Sequence, residues 1–142
     1  MRRREFLSAL TGMAAAWPCL GHAQQPDRVR RVGVLIALAE ADPQAQLRVK
    51  VLRADLRALG WIDGQNIRID FRFADGNVEH TRKSAAELAR SGADVIIANS
   101  SPILSAVQRE SRTIPIVFVQ VADPVGGGFV KSLPKPGGNV TA

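Results

Sequence analysis

The chain has 142 residues, enough for one domain but not for two of full size. Nineteen Lys and Arg against 13 Asp and Glu give a formal charge of +6. The basic residues are spread along the chain and do not gather into the stripe that a nucleic-acid backbone requires, so nucleic acid is not an expected partner.

Residues 1–23, MRRREFLSALTGMAAAWPCLGHA, read as an export signal. Arg2, Arg3 and Arg4 open it, a weakly polar to apolar run from Phe6 to Leu20 follows, and Gly21-His22-Ala23 supplies the small residues that a signal peptidase reads. The run is too short and too rich in Ala and Gly for a membrane span. RRREFLSAL also resembles the bacterial twin-arginine signal in a loose register. Cleavage is expected after Ala23; it removes Cys19, the only cysteine, and leaves 16 basic and 12 acidic residues. The mature chain then has neither disulfide nor thiol chemistry.

Residues 24–29 are a polar lead-in, and residues 30–142 read as one α/β unit. Val32 to Ala37 is a continuous branched apolar run, expected as a strand buried on both faces. Over residues 44–59, Ala45, Val49, Leu52, Leu56 and Leu59 recur at helical spacing and form one apolar stripe. Asp42-Pro43 suits the helix start and Gly60 its end. Between Asn66 and Ala74, Ile67, Ile69, Phe71 and Phe73 alternate with Arg68, Asp70 and Arg72, which predicts a strand at a sheet edge. Asp75-Gly76-Asn77 turns the chain into a helix over residues 78–90, with Ala85, Leu88 and Ala89 inward.

A third strand is expected over residues 94–98, a short helix over 102–110 and a fourth strand over 114–119 with Pro115 near its start. A helical turn is expected at 127–133 and a loop over 134–139. Strand and helix alternate throughout, so the expected fold class is α/β: an open parallel sheet with helices on both faces, a flavodoxin-like lobe.

In such sheets ligands sit beyond the carboxyl ends of the strands. Asn99, Ser100 and Ser101 lie there, ahead of a helix begun by Pro102, and combine side-chain donors with free helix N–H groups suited to a small anion. The same residues are readable as local capping. Asp123 and Glu40 could accept from a ligand amine, or be a turn former and a solvated loop acid. Catalysis finds no support: GxGxxG, GxxxxGK[ST] and GxSxG are all absent. Outside the signal His80 is the only histidine, so neither a metal site nor a cofactor is expected.

Four segments carry a family resemblance: RRVGVLIAL at 30–38, LRADLRALGWIDGQNIRIDFRFADG at 52–76, AAELARSGADVIIANSSP at 85–102 and TIPIVFVQVADPVGGGFVKSLPKPGGNVT at 113–141. The order IPIVF, ADPV, GF, SL, PGGN in the last is the most specific. The chain resembles the start of bacterial ABC-transporter substrate-binding proteins of the periplasmic tryptophan- and amino-acid-binding type. The resemblance implies the first of two lobes that close on a small ligand, a non-catalytic role, a periplasmic location and an inner-membrane ABC permease as partner. It implies ligand contacts at Glu40, Asn99, Ser100, Ser101 and Asp123. It also implies a second lobe, absent from this sequence, which stops where the family chain crosses over. A sensory ligand-binding domain, an enzyme on a flavodoxin-like sheet and an inactive truncated remnant are the competing readings. Export with cleavage after Ala23 predicts a mature chain beginning at Gln24 by N-terminal sequencing; a chain recovered with residues 1–23 attached contradicts it.

Overall fold

A computed structural model describes residues 28–142. The expected signal over residues 1–23 and the first four residues of the lead-in lie outside the described residues. The elements in chain order are β1 (Arg30–Ile36), α1 (Pro43–Ala58), β2 (Ile67–Phe73), α2 (Val78–Arg90), β3 (Val95–Asn99), α3 (Ser101–Glu110), β4 (Ile116–Val119) and β5 (Val140–Thr141). All strands pair in parallel, in the order β2-β1-β3-β4-β5. This doubly wound order reverses at β1, so the carboxyl ends of β1 and β3 flank the switch point.

The sheet separates two cores. On one face Leu35, Ile96, Ala98, Ile116 and Phe118 pack under α2 and α3, which contribute Ala85, Leu88, Ile103, Leu104 and Val107. On the other, Val32, Val34, Ile36 and Ile67 pack under α1 through Ala45 and Val49. The alternate burial of β1 explains its unbroken apolar run: Leu35 serves one core while Val34 and Ile36 serve the other. Gly33 lets α2 approach β1 closely, because a Cβ there would stand 2.9 Å from Leu88 Cδ2.

The helix signals of the sequence work as expected. Asp42 Oδ1 accepts from the Gln44 N–H at 2.7 Å, capping α1, and Gly60 takes φ +90 just past its end. β2 is the edge strand that its alternation predicts. Arg72 on it donates to Asp70 Oδ1 (3.0 Å) and to Glu87 Oε2 on α2 (2.6 Å). The hydrogen bond to Asp70, with the two carboxylate charges, holds the Arg72 pKa above its ordinary value despite partial burial. Charged residues on an edge also oppose pairing with another sheet.

Two expectations fail and one strand is added. Leu59 ends the predicted apolar stripe but is 76% exposed, because α1 closes at Ala58 and the cap turns Leu59 outward. No helix forms at 127–133; the segment is turn and bend, since Gly127 and Gly128 disfavour a helix and the Phe129 N–H bonds back to the Pro124 carbonyl at 3.0 Å. A fifth strand, β5, follows the predicted loop. Asn139 secures it: its Nδ2 donates to the Ile114 carbonyl at 2.7 Å, and its own carbonyl accepts from the Ile116 N–H at 2.7 Å.

Leu88 is fully buried at the point where α2 meets β1. Leu88→Ala is expected to lower the unfolding free energy by about 2–5 kcal/mol. Urea denaturation checks this, and a loss below about 1 kcal/mol contradicts the packing described.

Candidate ligand-binding edge

Among the described residues, four other than glycine have positive φ: Asp75 (+52), Ser100 (+93), Gln120 (+55) and Asp123 (+42). All four follow the carboxyl end of a strand: Asp75 after β2, Ser100 after β3, Gln120 and Asp123 after β4. Backbone strain is thus gathered on the rim where this fold places ligands, and such residues cost of order 1–3 kcal/mol each unless their surroundings hold them.

Asn99 is the centre of the rim. It ends β3, is only 5% exposed, and has both ends of its amide engaged. Arg48 Nη1, reaching from α1, donates to Asn99 Oδ1 at 2.9 Å. Asn99 Nδ2 in turn donates to Gln120 Oε1 at 2.8 Å. A buried amide left unpaired would cost about 1–3 kcal/mol, so this chain fixes the orientation of the amide and ties α1, β3 and the β4 exit together.

Ser100 follows directly. It is the N-cap residue of α3, yet its side chain makes no capping hydrogen bond. Its Oγ is buried and has no partner. Its N–H donates to the Val119 carbonyl at 3.0 Å, and its carbonyl accepts from the Leu104 N–H at 3.0 Å, so the backbone is fixed while the hydroxyl is idle. Ser100 also has φ +93 and ψ 160, a region that glycine occupies and serine rarely does. Ser101 is the first residue of α3, half-buried, with Pro102 behind it. The amides of the first turn have no partner within the helix, and the helix dipole favours negative charge there.

The other predicted residues stand apart from this group. Glu40 lies exposed after β1, and its backbone carbonyl accepts from Gln46 Nε2 at 2.6 Å. Asp123 is exposed, and its Oδ1 accepts from the Gly126 N–H at 2.8 Å, so it does form the turn ahead of the glycine run. Among the described residues no hydrogen bond or ion pair joins either acid to Asn99, Ser100 or Ser101. Arg48 and Gln120 were not singled out by sequence reasoning. Arg48 reads as one polar position on an amphipathic helix, and nothing in the sequence signals that Gln120 leaves its strand at positive φ. His80 is exposed on α2, and no group of His, Cys, Asp and Glu suited to a metal occurs among the described residues.

The rim therefore presents a strained serine with an unused hydroxyl, a second serine, open helix amides and a clamped asparagine. It can hold a small polar or anionic group; it offers no nucleophile paired with a base. Replacing Ser100 with Gly removes the strain and the idle hydroxyl together and is expected to raise stability by about 1 kcal/mol. A fall in the thermal midpoint of Ser100→Gly would contradict the strained geometry.

Comparison with known proteins identifies the family of the chain. Residues 31–142 match the family model for ABC transporter substrate binding protein. A curated relative, the tyrosine-binding protein of Clostridioides difficile (strain R20291), is 43% identical over 82 residues, which is 58% of this chain and 24% of the relative. The ligand-free, open structure of a substrate binding protein with adhesive properties from Clostridium difficile superposes with a TM-score of 0.72 at 34% identity, covering 79% of this chain and 37% of that one. A conserved domain protein from Vibrio cholerae gives 0.73 at 32% identity, covering 80% and 38%. A Streptococcus pneumonia ABC domain in complex with L-Trp gives 0.71 at 28% identity, covering 79% and 37%. The chain thus spans about a quarter of the curated relative's length and under two fifths of each of these solved chains. With its parallel sheet, its switch-point rim and this match over residues 31–142, the chain belongs to the ABC-transporter substrate-binding proteins, a non-catalytic family.

Proposed function

We propose that this chain is the solute-capturing lobe of an exported ABC uptake system, with an amino acid or similar small carboxylate as its ligand. The observation that carries the reading is the Ser100 hydroxyl, buried and without a partner at the start of α3. A folded protein pays for an unsatisfied buried hydroxyl and a strained backbone at one residue only where something offsets both. A carboxylate would do so by accepting from Ser100 Oγ, Ser101 Oγ and the first amides of α3.

In this reading Glu40 and Asp123, both exposed on the same rim, receive the ligand amine, and the Arg48–Asn99–Gln120 chain keeps the β3 and β4 exits in register beneath it. The ligands named for two relatives, tyrosine and L-Trp, support an aromatic amino acid as the first to test. The export signal expected over residues 1–23 supports a periplasmic location, with an inner-membrane ABC permease as the partner that takes the ligand.

Titration calorimetry with L-tryptophan and L-tyrosine tests the proposal. A hydrogen bond to a charged group contributes about 1.5–3 kcal/mol, so Ser100→Ala and Ser101→Ala are each expected to weaken binding by at least about tenfold without lowering the thermal midpoint. Binding that both variants retain at full strength, or no heat with either amino acid, overturns this assignment.

A further inference from the structure

The hydrogen-bond chain at the rim has a fixed direction. Arg48 stands at its head, half-buried on α1, and among the described residues it forms no ion pair. A guanidinium carries donors and no acceptor, so whatever faces it must accept. Asn99 therefore turns Oδ1 toward Arg48 Nη1, at 2.9 Å. Its Nδ2 is then committed to the β4 exit, where it donates to Gln120 Oε1 at 2.8 Å. Gln120 is left with Nε2 alone, and among the described residues no hydrogen bond uses that group. An amide side chain has a donor end and an acceptor end and can present either. Here one cation decides the matter for two amides in series.

The remaining donor end stands beside the idle serine. The Ser100 N–H donates to the carbonyl of Val119, the residue just before Gln120, at 3.0 Å. Ser100 and Gln120 thus leave neighbouring strands side by side, both at positive φ, +93 and +55. The chain also carries charge. A hydrogen bond from a cation is stronger than a neutral one, and successive bonds polarise one another. With no carboxylate beside Arg48, that polarisation favours a negative acceptor at Gln120 Nε2.

We infer that Gln120 recognises the ligand: its Nε2 donates to one carboxylate oxygen, while Ser100, Ser101 and the first amides of α3 hold the other. Arg48 is the positioning residue that sets this polarity. The inference rests on the carboxylate reading above and narrows the ligand to a free carboxylate, both of whose oxygens accept. A carboxamide places an NH2 group against a donor whichever way round it binds, against Gln120 Nε2 in one orientation and against the α3 amides in the other.

Titration calorimetry of the full chain with L-tryptophan and L-tryptophanamide tests it. The wild-type chain is expected to prefer the acid. Gln120→Glu keeps an oxygen for Asn99 Nδ2 but presents only acceptors to the ligand. It is expected to weaken L-tryptophan by at least about tenfold, to strengthen the amide and so to lower or reverse the preference, with circular dichroism confirming the fold. Arg48→Lys, which also donates only, is expected to keep the wild-type preference. Arg48→Gln, which can accept as well as donate, is expected to reduce it, whereas a purely structural Arg48 would change both affinities alike. L-tryptophan binding with a preference indifferent to Gln120→Glu overturns the inference and leaves the carboxylate reading standing. A wild-type chain that binds neither compound overturns both.

Discussion

The structure turns on the side-chain amide of Asn99. It stands at the last residue of β3, beside the point where the strand order reverses, and is buried where an unpaired amide could not be tolerated. Arg48 satisfies its oxygen and its nitrogen satisfies Gln120, so one residue joins a helix on one face of the sheet to two neighbouring strand exits. Ser100 and Ser101 follow that joint directly in the chain, and Ser100 and Gln120, both at positive φ, stand at the two strand exits it links. Parallel strands supply the underlying reason: every carboxyl end faces the same way, so every loop that leaves them contributes to one rim.

The strain at that rim is selective. Away from it, the elements use residues suited to their places: Asp42 as a cap, Gly60 after α1, branched residues in β1. Local preference and fold disagree at Asp75, Ser100, Gln120 and Asp123, and all four leave the same edge. Agreement elsewhere with disagreement in one place is the pattern expected where function sets the geometry. A glycine at 100 would relieve the conflict and would remove the hydroxyl with it.

Much of the fold could be read from the residues because burial imposes a period. The alternation at 67–73 announced an edge strand, the unbroken run at 32–36 a central one, and both stand where they were expected. Leu59 was misread because a stripe continues in sequence after the helix carrying it has closed. β5 escaped because two residues hold no period at all; its place is set by the Asn139 bonds to a carbonyl 25 positions earlier. At the rim, position after a strand identified Asn99, Ser100 and Ser101. Arg48 could not be identified in that way, because its partner is 51 positions distant and its helix surrounds it with equally polar neighbours. For Asp123 the bland reading is the one the geometry shows, a turn closed on Gly126, and any role with a ligand must be added to it.

The central claim is that a small carboxylate occupies the rim and is held at the start of α3. Backbone amide chemical shifts of the isotopically labelled chain, followed during titration with L-tryptophan and with L-tyrosine, test it most directly. The account predicts saturable shifts that are largest at Ser100, Ser101 and Ile103 and nearly absent at the opposite end of the sheet around Arg31 and Gly92. Shifts centred away from the β3–α3 junction, or none with either amino acid, would contradict it.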